Sequence, residues 1–195
     1  MKKQINKGCF ENMNAISIIA SPRKDGNCSQ IINHITEGIE EKNGTDNIYF
    51  IDDLNINTCK ACKACKNMEN PTKCVIKDDF IKIMDEIEKS DLFIFAAPNY
   101  FGEINAQGQI FINRFYSMTK TTPNQLKNKP QCIIIHTYGA TEGHYDEYIN
   151  KRSRVFESIG CDVVEVLSVG QNKPSSGNCD DLIEYARNLG RTLGD

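Results

Sequence analysis

Apolar positions follow two patterns that alternate along the chain. Short apolar runs predict strands, and apolar residues at helical spacing, such as Ile31, Ile32, Ile35 and Ile39, predict helices. The predicted strands cover 15–20, 47–51, 92–97, 132–135 and 162–169. The predicted helices cover 29–42, 80–87, 106–118, 145–158 and 180–193. Strand and helix therefore alternate five times.

This alternation predicts a parallel sheet with right-handed crossovers. The first, third and fourth predicted strands are continuous apolar runs, as expected for strands covered on both faces. In open α/β sheets, ligands bind beyond the carboxyl ends of the strands. The rule selects the loops after Ala20, Ala97 and His136 as the candidate binding region.

Length and charge narrow the function classes. A chain of 195 residues suggests one domain. Its net charge of −3 offers no electrostatic footprint for nucleic acid or an anionic membrane, and we expect neither partner. The polar residues of 1–14 do not form a signal peptide, and no apolar run approaches the roughly 18 residues of a membrane span. We therefore expect a cytoplasmic protein.

Nine cysteines require an explanation in a reducing compartment. Four fall in one short window at Cys59, Cys62, Cys65 and Cys74. Thiolates bind both zinc and iron–sulfur clusters, so this spacing predicts a metal or redox site. Three interpretations remain open: a [4Fe–4S] cluster, zinc, or free redox-active thiols.

The loop after the first strand, residues 21–29, leads directly into a helix. A helix N-terminus suits a phosphate group, to which Ser21, Asn27 and Ser29 add donors and Arg23 adds charge. The loop is neither a G-x-G-x-x-G fingerprint nor a Walker A loop. The alternative is an ordinary polar turn in which Asn27 or Ser29 caps the helix.

Five motifs in order along the chain resemble one known family. They are Ser-Pro-Arg-x-x-Gly-Asn-x-Ser at 21–29, Cys-x2-Cys-x2-Cys at 59–65, Lys-Cys-Val-Ile-Lys-Asp-Asp at 73–79, Pro-Asn-Tyr-Phe-Gly at 98–102 and Phe-Ile-Asn-Arg at 111–114. The sequence is similar to the NADPH-dependent FMN reductase and iron–sulfur flavoprotein family. The resemblance implies an α/β, flavodoxin-like three-layer sandwich with a five-stranded parallel sheet in the order 2-1-3-4-5. It also implies a single FMN-binding domain over 1–195, with a cysteine-rich insertion loop at 57–78.

The resemblance also implies the site residues. Those expected to bind FMN are Ser21, Arg23, Asn27, Cys28, Ser29, Pro98, Asn99, Tyr100, Phe101, Gly102, Thr137, Tyr138 and Gly139. Those expected to bind a [4Fe–4S] cluster are Cys59, Cys62, Cys65 and Cys74. No catalytic side chain is expected, because the protein contributes position and electrostatics to the cofactor's chemistry.

Three functions remain as hypotheses. The first is an FMN-dependent electron-transfer flavoprotein that passes electrons between FMN and a [4Fe–4S] cluster. The second is a flavin-only reductase of quinones, nitro compounds or free flavin, with NAD(P)H as electron donor. The third is a non-enzymatic module that binds zinc or a partner through its cysteines. By resemblance, we also expect a homodimer or homotetramer and a small-molecule or protein redox partner.

Overall fold

The computed structural model describes residues 12–67, 74–119, 125–172, 174 and 179–193. Its strands are β1 (Asn14–Ile19), β2 (Thr45–Phe50), β3 (Leu92–Tyr100), β4 (Glu103–Ile104), β5 (Gln131–Thr137) and β6 (Asp162–Val169). Its α-helices are α1 (Asn27–Glu40), α2 (Asp79–Ile87), α3 (Ala106–Arg114), α4 (Asp146–Ser158) and α5 (Asp180–Leu193). Short 3₁₀ helices cover Ile51–Asp53, Ala64–Lys66 and Phe115–Met118.

Five strands form a parallel sheet in the order β2-β1-β3-β5-β6. This is the predicted order of the five main strands, so the flavodoxin-like topology is confirmed. A sixth, two-residue strand, β4, pairs antiparallel with the end of β3 and was not predicted.

Helices cover both faces of the sheet. On one face, α2, α3 and α4 contribute Phe80, Phe111 and Phe156 to a core shared with Phe93 and Phe95 of β3. On the other face, α1 and α5 pack against the alternate residues of the strands, including Leu92, Ile94, Ile133 and Ile135. Because successive strand side chains point to opposite faces, one apolar strand serves two cores. The three-layer arrangement follows from this alternation.

Several element boundaries differ from the prediction, and two of the differences bear on the candidate site. β3 continues past Pro98 to Tyr100, because a proline lacks a backbone donor yet keeps its carbonyl, which accepts from the Asn105 amide at 3.0 Å. α1 begins at Asn27 rather than Ser29, since Gly26 is extended and occupies the N-cap position. Within the part of the chain the structure describes, no helix combines the length and hydropathy needed to cross a membrane.

Candidate functional site

The sheet brings the three predicted loops to one edge. β3 lies between β1 and β5, and at their carboxyl ends Ala97 pairs with His136 and Pro98 with Thr137. The side-chain amide of Asn105 donates to the Ala20 carbonyl at 2.5 Å, which joins the end of β1 to the start of α3. We call residues 21–29, 98–102 and 137–143 the strand-end loops. They form one continuous rim.

The first strand-end loop presents the start of α1 to an anion. The N-cap is Gly26, which brings no side-chain acceptor, and the first turn contains no acidic residue. The positive end of the helix dipole is therefore not neutralised from within the turn. Arg23 is exposed and forms no ion pair within the described residues. Both features suit a phosphate.

Hydrogen bonds within this loop fix its shape. The Ser21 hydroxyl accepts from the Arg23 amide at 3.2 Å, and the Gly26 amide donates to the Arg23 carbonyl at 3.2 Å. The Ser29 hydroxyl lies 3.4 Å from the same carbonyl. Ser21, Asn27 and Ser29 are all buried, so their side chains are packed within the protein.

Cys28 lies beneath the loop and connects it to the third one. Its thiol lies 3.5 Å from the Thr137 hydroxyl, and both residues are buried. Burial raises the pKa of the Cys28 thiol to about 11, although the Thr137 hydrogen bond and the Arg23 charge act in the opposite direction. The side chain is therefore a neutral thiol at physiological pH.

Asn99, in the second strand-end loop, offers an amide with no protein partner. Among the described residues, neither its oxygen nor its nitrogen has a hydrogen-bond partner, and both atoms are buried. An unpartnered buried amide costs about 1–3 kcal/mol, so its persistence here points to a ligand. Ring nitrogens and carbonyls of a flavin are suitable partners for both atoms.

The tip of the same loop is a two-residue hairpin turn between paired Tyr100 and Glu103. Phe101 and Gly102 both have positive φ, +53° and +85°, as a type I′ turn requires. This turn projects the Phe101 ring fully into solvent and leaves Tyr100 half exposed. Two exposed aromatic side chains thus follow Asn99 directly in the loop.

The third strand-end loop is shaped by Tyr138. Its ring is buried against Tyr145, and its hydroxyl bonds to the Ser168 hydroxyl at 3.0 Å and the Gly143 amide at 3.1 Å. The space around the Gly139 α-carbon is open for at least 4 Å in the side-chain direction. The ring of Tyr138 therefore supports the loop from within, and the open side lies at Gly139. The contacts predicted for both residues stay predictions.

We call residues 57–67 together with 74–78 the cysteine loop, the described part of 57–78. Cys59, Cys62, Cys65 and Cys74 all line one cavity of about 20 Å³, little more than the space of a single water. Ala61 and Lys63, on either side of Cys62, have positive φ values of +52° and +60°. Among the described residues, no group of three or more histidine, cysteine or acidic side chains is arranged to hold a metal ion. The donor set is gathered without a ligating geometry.

Arg114, at the end of α3, joins the two stems of the cysteine loop. Its guanidinium donates to the Asn57 carbonyl at 2.8 Å and to the Asp78 carboxylate at 2.6 and 3.1 Å. The same carboxylate accepts from the Asn57 amide at 2.9 Å. Both charged side chains are 1% exposed. One buried ion pair therefore closes the base of the loop.

Burial and charge compete at this ion pair. Burial opposes the charges of both groups, yet their mutual hydrogen bonds leave the pKa of Asp78 lowered and that of Arg114 raised. Cys74 also raises the pKa of Arg114, so the fourth thiol lies next to the guanidinium. Arg114 belongs to the Phe-Ile-Asn-Arg motif, and its role at the base of the loop was not predicted. The available signal was a charged residue among Ile110, Phe111 and Phe115 on an apolar helix face.

The strand-end loops fit the phosphate and ring of FMN: an uncapped helix start, a buried amide without a partner and open space over Gly139 lie on one rim. For a cluster the fit is chemical only, because four thiols surround a cavity of water size.

A family model and two curated proteins are similar to this chain. The model of the NADPH-dependent FMN reductase family matches residues 13–173. An iron–sulfur flavoprotein of Methanocaldococcus jannaschii is 28% identical, with 94% of this chain and 96% of that protein covered. An iron–sulfur flavoprotein of Methanosarcina thermophila is 34% identical over 60% of this chain and 59% of its own length.

Solved structures agree on the fold. An NAD(P)H:quinone oxidoreductase from Methanothermobacter marburgensis superposes with a TM-score of 0.70 at 16% identity, covering 94% of this chain and 98% of that one. An FMN-dependent NADH-azoreductase from Bacillus anthracis, in complex with FMN, superposes with a TM-score of 0.68 at 13% identity, covering 94% and 100%. At such identities, the likeness concerns architecture.

Proposed function

Since this chain belongs to the NADPH-dependent FMN reductase family, we propose that it is an iron–sulfur flavoprotein that passes electrons between FMN and a [4Fe–4S] cluster. The chain is an FMN-dependent oxidoreductase with a flavodoxin-like fold. The proposed cluster rests on the cysteine loop.

The observation that carries the proposal is the placement of four thiols on one cavity. Cys59, Cys62 and Cys65 come from the first stem, and Cys74 comes from the second. Four cysteine thiolates are the usual ligands of a [4Fe–4S] cluster. Lys60, Lys63 and Lys66 follow three of these cysteines by one position and supply positive charge that would offset the charge of a thiolate-bound cluster. The names of the two relatives support the same assignment.

The strand-end loops would hold FMN through their own donors. Ser21, Asn27 and Ser29, with the start of α1 and the charge of Arg23, would bind the phosphate. Asn99 would pair with the polar edge of the ring system. When bound, FMN supplies hydride acceptance and one-electron transfer.

A flavin-only reductase is the second candidate, and one observation favours it. The cavity between the cysteines has a volume of about 20 Å³, and the described side chains show no ligating arrangement. In that case NAD(P)H would reduce the flavin directly, and the substrate would be a quinone, a nitro compound or free flavin. The cysteines would then be free thiols.

Anaerobic purification followed by measurement of iron, acid-labile sulfide and FMN separates the two. The proposal expects four irons and four sulfides per FMN, about the stoichiometry of one cluster. Cys62→Ser should remove iron and keep FMN, whereas Cys179→Ser, outside the cavity, should leave both unchanged. Flavin without iron in the wild type would overturn the cluster and leave the flavin-only reductase.

We further propose that residues 1–195 form a single domain and that the protein is a homodimer or homotetramer. We also propose a small-molecule or protein redox partner and a cytoplasmic location without nucleic-acid partners. Light scattering of the FMN-loaded protein would test the assembly.

A further inference from the structure

A second cleft lies away from the strand-end rim, between the cysteine loop, the end of α3 and the second half of α4. Its volume is about 560 Å³, within the range of roughly 300–1,000 Å³ usual for small-molecule sites. Ile112, Phe115 and Val155 supply apolar walls, and the half-exposed Tyr116 supplies an aromatic one. The cleft has the size and the lining of a ligand site.

The charges on this cleft are of one sign. Lys63 lines one side and Arg152 the other, and among the described residues no aspartate or glutamate contributes to the lining. This contrasts with the chain as a whole, whose net charge is −3. A small site with two cations and no carboxylate in its walls is complementary to an anion.

Arg152 has an incomplete set of partners. Its guanidinium donates to the Gln109 side-chain oxygen at 2.9 Å, a neutral acceptor. Its Nε is buried and has no acceptor within the described residues, and no ion pair joins Arg152 to a carboxylate there. A half-buried guanidinium without a counter-charge is costly unless a ligand supplies one.

The titratable neighbours of Arg152 do not supply that counter-charge. His136 is buried, and burial together with the Arg152 charge lowers its pKa to about 4, so it is neutral. Tyr148 lies on the same helix, and its hydroxyl donates to Glu103 at 2.5 Å. The pKa of Tyr148 is raised, first by burial and then by Glu103, so it too is neutral. Glu103 accepts from Tyr148 and forms no ion pair with Arg152 among the described residues, so the guanidinium has no carboxylate partner there.

We propose that this cleft binds a small organic anion, a carboxylate or sulfonate carried on a flat apolar body. Arg152 would pair with the anionic group through a charge-assisted hydrogen bond. Phe115, Val155 and Tyr116 would contact the apolar body. The site is separate from the flavin phosphate loop, and Cys59 and Lys63 of the cysteine loop also line it.

The test uses two probes that differ in charge. Isothermal titration of FMN-loaded protein with naphthalene-2-sulfonate should show one binding site, and 2-naphthol should bind the same cleft more weakly. Arg152→Met should weaken the sulfonate by about tenfold or more, the loss of one charge-assisted pair, and leave 2-naphthol nearly unchanged. Arg152→Lys should restore part of the sulfonate affinity.

Two further variants control the result. Lys151→Met removes the same charge from an exposed neighbouring position outside the cleft and should change neither probe. Val155→Phe narrows the cleft and should weaken both. Melting temperature and flavin content confirm that each variant is folded. The proposal is overturned if the wild type does not bind the sulfonate, if Arg152→Met weakens both probes equally, or if Lys151→Met matches Arg152→Met.

Discussion

The strand-end loops and the cysteine loop are held in place by different means. The strand-end loops follow from the sheet, because adjacent strands β1, β3 and β5 deliver them to one edge in a fixed register. The described part of the cysteine loop contains no strand, and an ion pair between Arg114 and Asp78 closes its base. Hydrogen bonds between near neighbours shape the first region, whereas a buried ion pair joins the two ends of the second. A substitution in one region should therefore affect stability and FMN binding differently from a substitution in the other.

The largest expected effect comes from the single strong connection. Arg114→Met leaves the buried Asp78 carboxylate without its partner, which should lower the free energy of unfolding by about 3–5 kcal/mol. Urea denaturation of the wild type and the variant measures this loss. The exposed Arg154→Met, on α4, is the matched control and should change stability little.

The same variant also separates the regions. Cross-linking of Cys62 to Cys74 with dibromobimane should become slower in folded Arg114→Met, because the two stems part. FMN binding, measured by quenching of flavin fluorescence, should persist. Loss of FMN from folded protein at the same time as the cross-link would show that the two regions are not independent.

Arg23→Met tests the strand-end rim at its charged end. Removing the guanidinium should weaken FMN by about tenfold, as for loss of one charge-assisted hydrogen bond, and leave riboflavin, which lacks the phosphate, unaffected. Lys24→Met is the control, because the Lys24 ammonium pairs with Asp53 at 2.6 Å. Equal losses of FMN and riboflavin would place Arg23 away from the phosphate.

Asn99→Leu should act in opposite directions on stability and binding. A leucine of similar size removes two unpartnered buried polar atoms, so the FMN-free protein should gain about 1 kcal/mol in unfolding free energy. FMN affinity should fall several-fold as ring contacts are lost. Paired denaturation and flavin titrations check both effects, and an unchanged FMN affinity would remove Asn99 from the flavin site.

A pH dependence of stability is expected at Cys28, confined to alkaline solution. Burial raises its folded-state pKa from 9.0 to about 11, so its contribution to stability is complete below pH 9 and is lost as pH rises towards 11. Relative to the wild type, Cys28→Ala should show a shallower fall in stability across this window. A fall as steep in Cys28→Ala as in the wild type would contradict this expectation.

Sequence patterns predicted the fold because its determinants are local. Apolar runs located the five parallel strands, and helical spacing located the five helices, since each pattern reflects burial on both faces or on one. The strand-end rim followed from topology alone. β4 was missed because two residues carry no periodicity and because Pro98 normally ends a strand.

The grouping of the cysteines could be predicted from the sequence, but the contacts that close the cysteine loop could not. Spacing identified Cys59, Cys62, Cys65 and Cys74 as one group, which the structure places around one cavity. The closure by Arg114 depends on contacts 36 and 57 residues apart in the chain, to Asp78 and Asn57. No local pattern records such contacts. The unpartnered amide of Asn99 likewise appears only once its neighbours are placed.

Because the Arg114 guanidinium closes the base of the cysteine loop, the segment between its two stems can be replaced without changing the sheet. With both stems fixed by Arg114, the span between them can lengthen or shorten while the sheet stays unchanged, since doubling a flexible loop costs only about 0.6 kcal/mol. Grafting a different ligand segment between Asn57 and Asp78 therefore becomes a practical engineering route. The strand-end loops would be unchanged, and a new metal centre could be built next to them.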